Sequence, residues 1–246
     1  MNPQPLVTLP CKLPKSQLEW FIMESKEATS NYFQLIQTKI FRAFNNIYDE
    51  AVEHRVQLAD QMIGNATGVE DEDDSHIHTT AAEFAAEYYF WLKRTGEGTV
   101  NLVGAALFHL TEQQLGTLIK ELRPIRTHGD FQFEKIKKIL KNDQFKIDVT
   151  KWSSWTKMRE LNLVANVIKH SAGRSERELR RMRPDYFPSR EIGGVSLEPG
   201  PLNPLIGEGF RIGEADLQAY FDAILLFWDE LLAALNPYFG LSDSAA

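Results

Sequence analysis

Between Pro14 and Gly64 the chain repeats apolar residues every three or four positions, with Phe33, Ile36, Ile40, Phe44 and Ile47 falling on one side. That spacing is the signature of a helix with one buried face, and it predicts helix from about Ser16 to Ile63. Pro14 stands just before the run, and Gly64-Asn-Ala-Thr-Gly68 ends it with residues that tolerate left-handed backbone. So long a pattern is either two consecutive helices or one spine that others wrap around. Strand-type alternation is nearly absent, and no repeat of solenoid period is visible. The expected fold class is therefore all-α: a helical bundle around a long N-terminal helix or helix pair, with one Pro/Gly-rich irregular excursion. At 246 residues the chain suits a single domain over residues 1–246, preceded by an N-terminal tail over 1–14.

An acidic loop is expected over 64–79, containing Glu70-Asp-Glu-Asp-Asp74-Ser-His76-Ile-His78. Carboxylates beside two histidines have metal-ligand chemistry, but a short charge run is ordinarily a solvated loop, and no metal is expected. Thr79 or Thr80 then caps a helix carrying Phe84, Tyr88, Phe90 and Trp91, with Glu83 placed for a capping box with Thr80. These aromatics, like most in the chain, read as core. A pair of helices follows over Thr99–His109 and Thr111–Leu122, the second opened by the capping-box spacing Thr111-Glu-Gln-Gln114 and stopped by Pro124. His109, between Phe108 and Leu110, reads as a partly buried, satisfied histidine. Further helices are expected from about Asp130 to Asn142, from Lys151 to His170, from Ser175 to Arg183 before Pro184, and from Glu214 to Leu235. Residues 192–213 are rich in Gly and Pro and read as an irregular excursion over the surface, with Phe210-Arg-Ile212 as a brief extended piece.

Charge is unevenly distributed. From Lys120 to Ile192 there are 18 Lys and Arg against 10 Asp and Glu, while the rest of the chain holds 9 against 24. A basic segment in an acidic protein marks either the approach of an anion or nucleic acid, or docking on acidic parts of the same chain or a second subunit. The single cysteine, Cys11, excludes an internal disulfide framework and a cysteine-based metal cluster, which fits a reducing, cytoplasmic setting. The start lacks a basic segment followed by an apolar run. The most apolar stretch, around Ala223–Ala234, contains Asp229 and Glu230 and is too short to span a bilayer, so no membrane partner is expected.

The helix ending at His170 carries the candidate chemistry. Arg159, Asn162, Asn166 and His170 recur on one side, flanked by Trp155, while Leu161, Val164, Ala165 and Ile168 lie on the other. Lysine and glutamate usually fill an idle solvated face, so asparagine and arginine here point to a role. Arg159 is able to grip a phosphate through two N–H groups, Asn166 to orient a neighbour, and His170 to exchange a proton near neutral pH. Beyond Gly173 come Arg174, Arg177, Arg180, Arg181 and Arg183, which together with Lys169 form a candidate nucleic-acid-binding surface, partly offset by Glu176 and Glu178. The bland alternative is a polar seam packed on another helix, with His170 capping carbonyls at the helix end. No phosphate-binding Gly-rich loop, dinucleotide fingerprint, His-Glu-x-x-His zinc motif or Gly-x-Ser-x-Gly elbow occurs, so no cofactor is expected.

At Asn166-Val-Ile-Lys-His170 the chain resembles the HEPN superfamily of α-helical proteins, whose members often end a core helix with an asparagine followed four positions later by histidine. The resemblance extends to the helical run Ser16–Ile63 and the helix Lys151–His170, less than half of the chain. Leu161–Phe187 is more closely similar to a group of bacterial proteins that share an Asn-x-x-Lys-His segment followed by Gly-Arg-Ser and Arg-Pro-Asp, a resemblance that implies little about function. The first resemblance implies a metal-independent ribonuclease or RNA-binding effector of a toxin–antitoxin or phage-defence system. In such enzymes an arginine and a histidine with four to six residues between them meet across a dimer and cleave RNA through the 2′-hydroxyl. Carried over by position, it implies His170 as the proton-transfer residue and Asn166 as the group that orients it. Ala165 stands where the family keeps its arginine, leaving Arg159 on the same face, or Arg174, as the substitute. RNA and a homodimeric or other protein partner are the implied partners. A non-catalytic helical interaction or regulatory module is the alternative.

Overall fold

A computed structural model of the chain describes residues 13–65, 74–122, 132–142, 145–188, 190–192, 195–197 and 202–239. Its α-helices are α1 (Lys15–Leu35), α2 (Ile47–Asn65), α3 (Asp74–Leu122), α4 (Phe133–Asn142), α5 (Trp155–His170), α6 (Arg174–Met182) and α7 (Glu214–Leu235). The short antiparallel strands β1 (Arg190–Ile192) and β2 (Val195–Leu197) pair with Arg190 opposite Leu197. The protein is all-α, with this ribbon as a minor addition. No described helix is long and apolar enough to cross a membrane.

The N-terminal run is a helix pair. After α1 the backbone passes through a π-helical turn, Ile36–Ile40, and a 3-10 turn, Phe41–Phe44, before α2 begins. A π turn accommodates an extra residue and so rotates the faces that follow it. Phe33 and Ile36 are buried as the spacing predicts, but Phe41 then takes the inward place, leaving Ile40 39% exposed.

The spine of the fold is α3, not the N-terminal run. Its 49 residues extend roughly 73 Å at 1.5 Å per residue. The three expected boundaries inside it, at Thr79 or Thr80, before Thr99 and at Thr111, are absent, and Thr99 Oγ1 donates back to the Thr95 carbonyl at 2.8 Å. Helix begins at Asp74, so Thr79 and Thr80 are internal: Thr79 Oγ1 donates to the Ser75 carbonyl at 2.8 Å, and Thr80 Oγ1 lies 3.0 Å from His76 Nδ1. Buried Ile77, Ala81 and Ala85, spaced by four, carry the packing through this stretch. Of the expected acidic loop, residues 64, 65 and 74–79 are thus helical, and residues 66–73 lie outside the described residues. Nor does the helix break at Thr111, whose hydroxyl donates back to the Leu107 carbonyl at 2.9 Å instead of capping a new helix. Phe84, Tyr88, Phe90 and Trp91, expected in the core, are exposed.

The expected surface excursion is also corrected, because its second half is clamped inward. Phe210 and Ile212 are buried, and a 3-10 turn at Pro204–Ile206 lies on α3. Asn101, fully buried on α3, holds this segment. Its amide nitrogen donates to the carbonyls of Pro204 (2.7 Å) and Phe210 (3.0 Å), and its carbonyl accepts from the Ile212 N–H at 3.0 Å. The approach requires Gly98: a Cβ there would stand 2.0 Å from the Leu205 carbonyl oxygen. Around α3, the faces of α1, α4, α5 and α7 close the core through Leu107, Leu118, Ile136, Val164, Ile224 and Trp228.

Two glycine substitutions separate helix propensity from packing. Gly98→Ala should lower unfolding stability by about 3 kcal/mol, because a clash with backbone outweighs the propensity gained. Gly64→Ala, where an added Cβ would meet nothing within 4 Å, should raise it by up to about 1 kcal/mol. Urea unfolding followed by circular dichroism measures both.

Candidate nucleic-acid interface

The site is positioned by α5, and α5 is anchored by α7. At its start, the carboxylate of Glu230 accepts from the Ser153 N–H (2.7 Å) and from the Ser154 N–H and hydroxyl (3.3 and 2.5 Å). Negative charge there complements the exposed N–H groups of a helix N-terminus. Leu161, Val164, Ala165 and Ile168 are buried, as the spacing predicts, so the polar edge faces outward. Asn162 and Asn166 are half-buried, and Arg159, Lys169 and His170 are exposed.

This edge divides into two parts. Asn162, Asn166, Lys169 and His170 line one wall of a groove of about 270 Å³, faced by His109 and Glu112 of α3 and by Phe133 and Glu134 at the start of α4. Asn166 donates to the Asn162 backbone carbonyl (2.8 Å) and side-chain oxygen (2.9 Å), which fixes its amide. The groove carboxylates already have partners. Glu112 accepts from the Phe133 N–H at 2.7 Å and faces His109 Nδ1 at 3.4 Å, while Glu134 pairs with Lys137 at 2.6 Å. His109 is thus partly buried and satisfied, as expected. Among the described residues no group of His, Cys, Asp and Glu is arranged to hold a metal ion.

Arg159 belongs to the other part. It shares the angular face of His170 but lies eleven residues earlier, roughly 16 Å along the axis, and it pairs with Glu178 of α6. The structure therefore brings Asn166 and His170 together and leaves Arg159 apart. Beyond α5 the backbone turns through Ser171 (φ 56°) and Gly173 (φ 154°), the second in a region that favours glycine. Of the α6 arginines, Arg180 is committed to Glu176 (2.8 Å) and to the face of Phe187 (4.1 Å). Arg174, Arg177 and Arg181 are exposed and make no ion pair among the described residues.

A second polar constellation was not anticipated from the sequence. Glu160, 4% exposed on the buried side of α5, accepts through Oε1 from Arg183 (2.6 Å), Tyr186 (3.0 Å) and Tyr220 (2.8 Å), and from Lys157 at 3.1 Å. Arg183 also bridges to Asp185 (2.7 Å) and Asp216 (2.9 Å). Burial by itself pushes the Glu160 carboxyl upward. The hydrogen bonds from Tyr220 and Lys157 and the Lys157 charge outweigh it and hold the group below its ordinary value. Burial pushes both phenols well above their usual range, so they remain donors. The cluster ties α5, the segment after α6 and α7 into one unit. The signal for it was a carboxylate four residues before Val164 on an otherwise apolar face.

Compared with known proteins, the chain matches no family model, no curated protein and no solved structure. The functional reading therefore stands on the groove and its surroundings.

Removing the Glu160 charge tests the cluster. Glu160→Ala should cost about 3–5 kcal/mol, the scale for stranding buried charged partners. Because its folded pKa lies below the ordinary 4.5, the extra stability of wild type is fully present above that pH and fades as pH falls below it. Chemical denaturation between pH 3 and 7 should show a slope that Glu160→Gln lacks.

Proposed function

We propose that the outer edge of α5 and α6 is the RNA-binding surface of a cytoplasmic HEPN-like effector. The observation that carries this reading is the continuity between two features: an exposed histidine in a polar groove, and three exposed arginines on the next helix that make no ion pair among the described residues. Lys169 and the guanidinium groups of Arg174, Arg177 and Arg181 hold phosphates, with Arg180 contributing where its pairing with Glu176 exchanges. His170, beside the fixed amide of Asn166, faces the ribose as the proton-transfer group. Arginine suits this task because its planar fork meets phosphate oxygens bidentately.

Arg159 does not complete a catalytic pair within one copy, since it is some 16 Å along α5 and engaged by Glu178. Strand cleavage therefore falls to Arg174, the other substitute, or to an arginine brought to His170 by a second copy, as the resemblance implies, whereas binding requires neither. That difference makes RNA binding the primary reading and cleavage the dependent one.

Single-stranded RNA titrated against the purified protein tests both. Arg174→Ala/Arg177→Ala/Arg181→Ala should weaken binding at least tenfold and flatten the dependence of log K on log salt by about 2, at roughly 0.7 per lost phosphate contact. His170→Ala should abolish any cleavage while leaving affinity within about twofold. Equal affinity of wild type and the triple variant would sink the RNA reading and leave the helical interaction module.

A further inference from the structure

The pair α2–α3 forms an arm: α2 packs along α3, and no other helix or strand contacts it extensively. Beside the seam of this arm lies a groove of about 340 Å³, lined by His54 and Leu58 of α2 and by Phe84, Glu87, Tyr88 and Trp91 of α3. Its aromatic rings are open to solvent, with Trp91 69% exposed, Phe84 52% and Tyr88 37%. His54 stacks on Tyr88 with ring centroids 4.6 Å apart, so the Tyr88 ring is backed on one side and held as a floor. A contiguous aromatic surface left open in this way marks a place of binding.

We propose that this groove binds a free quaternary ammonium solute of the choline type, held by its methylated ammonium head. The proposal is independent of the RNA-binding reading.

Three features select this occupant. The first is the chemistry of the lining, which joins three aromatic rings to one carboxylate, Glu87, exposed and without an ion pair among the described residues. An aromatic face is the negative side of the ring quadrupole and attracts a cation, and quaternary ammonium groups are the ligands that such lining recognises. The second is spacing. Phe84 and Trp91 are seven residues apart, roughly 10 Å along α3, and long helical side chains lean the same way along the axis. A cation midway between them lies about 5 Å from each, within the ~6 Å over which a ring attracts a cation. The third is that the chain supplies no cation of its own here. Elsewhere Lys137 stands over Trp155 at 5.2 Å, Lys157 over Tyr220 at 5.5 Å, Arg180 over Phe187 at 4.1 Å and Arg183 over Tyr186 at 3.9 Å. Among the described residues no lysine or arginine lines the groove. Arg94, a turn beyond Trp91, is outweighed by Glu87 together with Glu83 and Glu50, exposed one turn from Glu87 and from His54. The same carboxylates disfavour a zwitterion that brings its own carboxylate, and an anionic membrane surface.

Calorimetric titration of the full chain tests this with choline, with its neutral isostere in which carbon replaces nitrogen, and with glycine betaine. Choline should bind saturably at one site per chain. The isostere, which lacks the charge, and betaine, which carries a carboxylate, should each bind at least about tenfold more weakly. Trp91→Leu should weaken choline binding about tenfold and Glu87→Gln roughly threefold, both with unchanged helical circular dichroism. Phe90→Leu, exposed on α3 but outside the lining, should leave it unchanged. The proposal is overturned by a failure to saturate below about 10 mM choline, or by an isostere that binds as well as choline. It is equally overturned by a Trp91→Leu protein that keeps wild-type affinity, or by binding confined to phosphatidylcholine vesicles or to a trimethyllysine peptide.

Discussion

The close backbone approach at Gly98 sets the position of nearly everything that follows it. Three of the four glycines in this 49-residue helix, at 96, 98 and 104, put weak helix propensity where other segments press on it. The Leu205 carbonyl region sits against Gly98, and the Asn101 amide spends both nitrogen donors and its oxygen on the backbone of Pro204, Phe210 and Ile212. The glycines therefore serve contact rather than termination. The segment so fixed delivers Gly213 to the start of α7, where Asp216 accepts the Gly213 N–H at 3.0 Å and reaches Arg183.

From there α7 governs α5 at two points. Glu230 receives the first N–H groups of α5, and Asp216 with Tyr220 frames the cluster around Glu160. Both contacts lie in the first half of α5. Its second half, with Asn162, Asn166 and His170, is held by its apolar side alone and keeps its polar side for the groove. The helix thus presents its candidate chemistry at the end away from these anchors, next to the Ser171–Gly173 turn.

Elements whose signals are local were legible in the sequence. The bounds of α7 follow from its broad apolar face, and the two sides of α5 from residues 155–170 alone. The continuity of α3 was not legible, because a threonine that bonds back to the preceding turn has the same local sequence as one that caps a new helix. At Thr99, whose hydroxyl bonds back to the Thr95 carbonyl in the same way, the helix runs on beneath the segment 204–212, about a hundred residues away. Glu160 stood on the apolar face in plain view, but its partners Arg183, Tyr186 and Tyr220 lie 23 to 60 residues downstream. Arg159 shows a different limit: angular periodicity places it with His170, while axial rise separates them.

That separation bears on what the edge of α5 is able to do. The Arg159–Glu178 pair is largely solvent-facing, and pairs of that kind contribute no more than about 1 kcal/mol. A phosphate near Arg159 therefore competes readily for its guanidinium. Releasing it does not bring it to His170, because two further turns of helix and more intervene, a distance longer than an arginine side chain extends. If the arginines of α6 hold phosphates as proposed, Arg159 would lengthen that track within one copy, and proton transfer at His170 would depend on which cation a neighbouring copy or the RNA-bound state places opposite it.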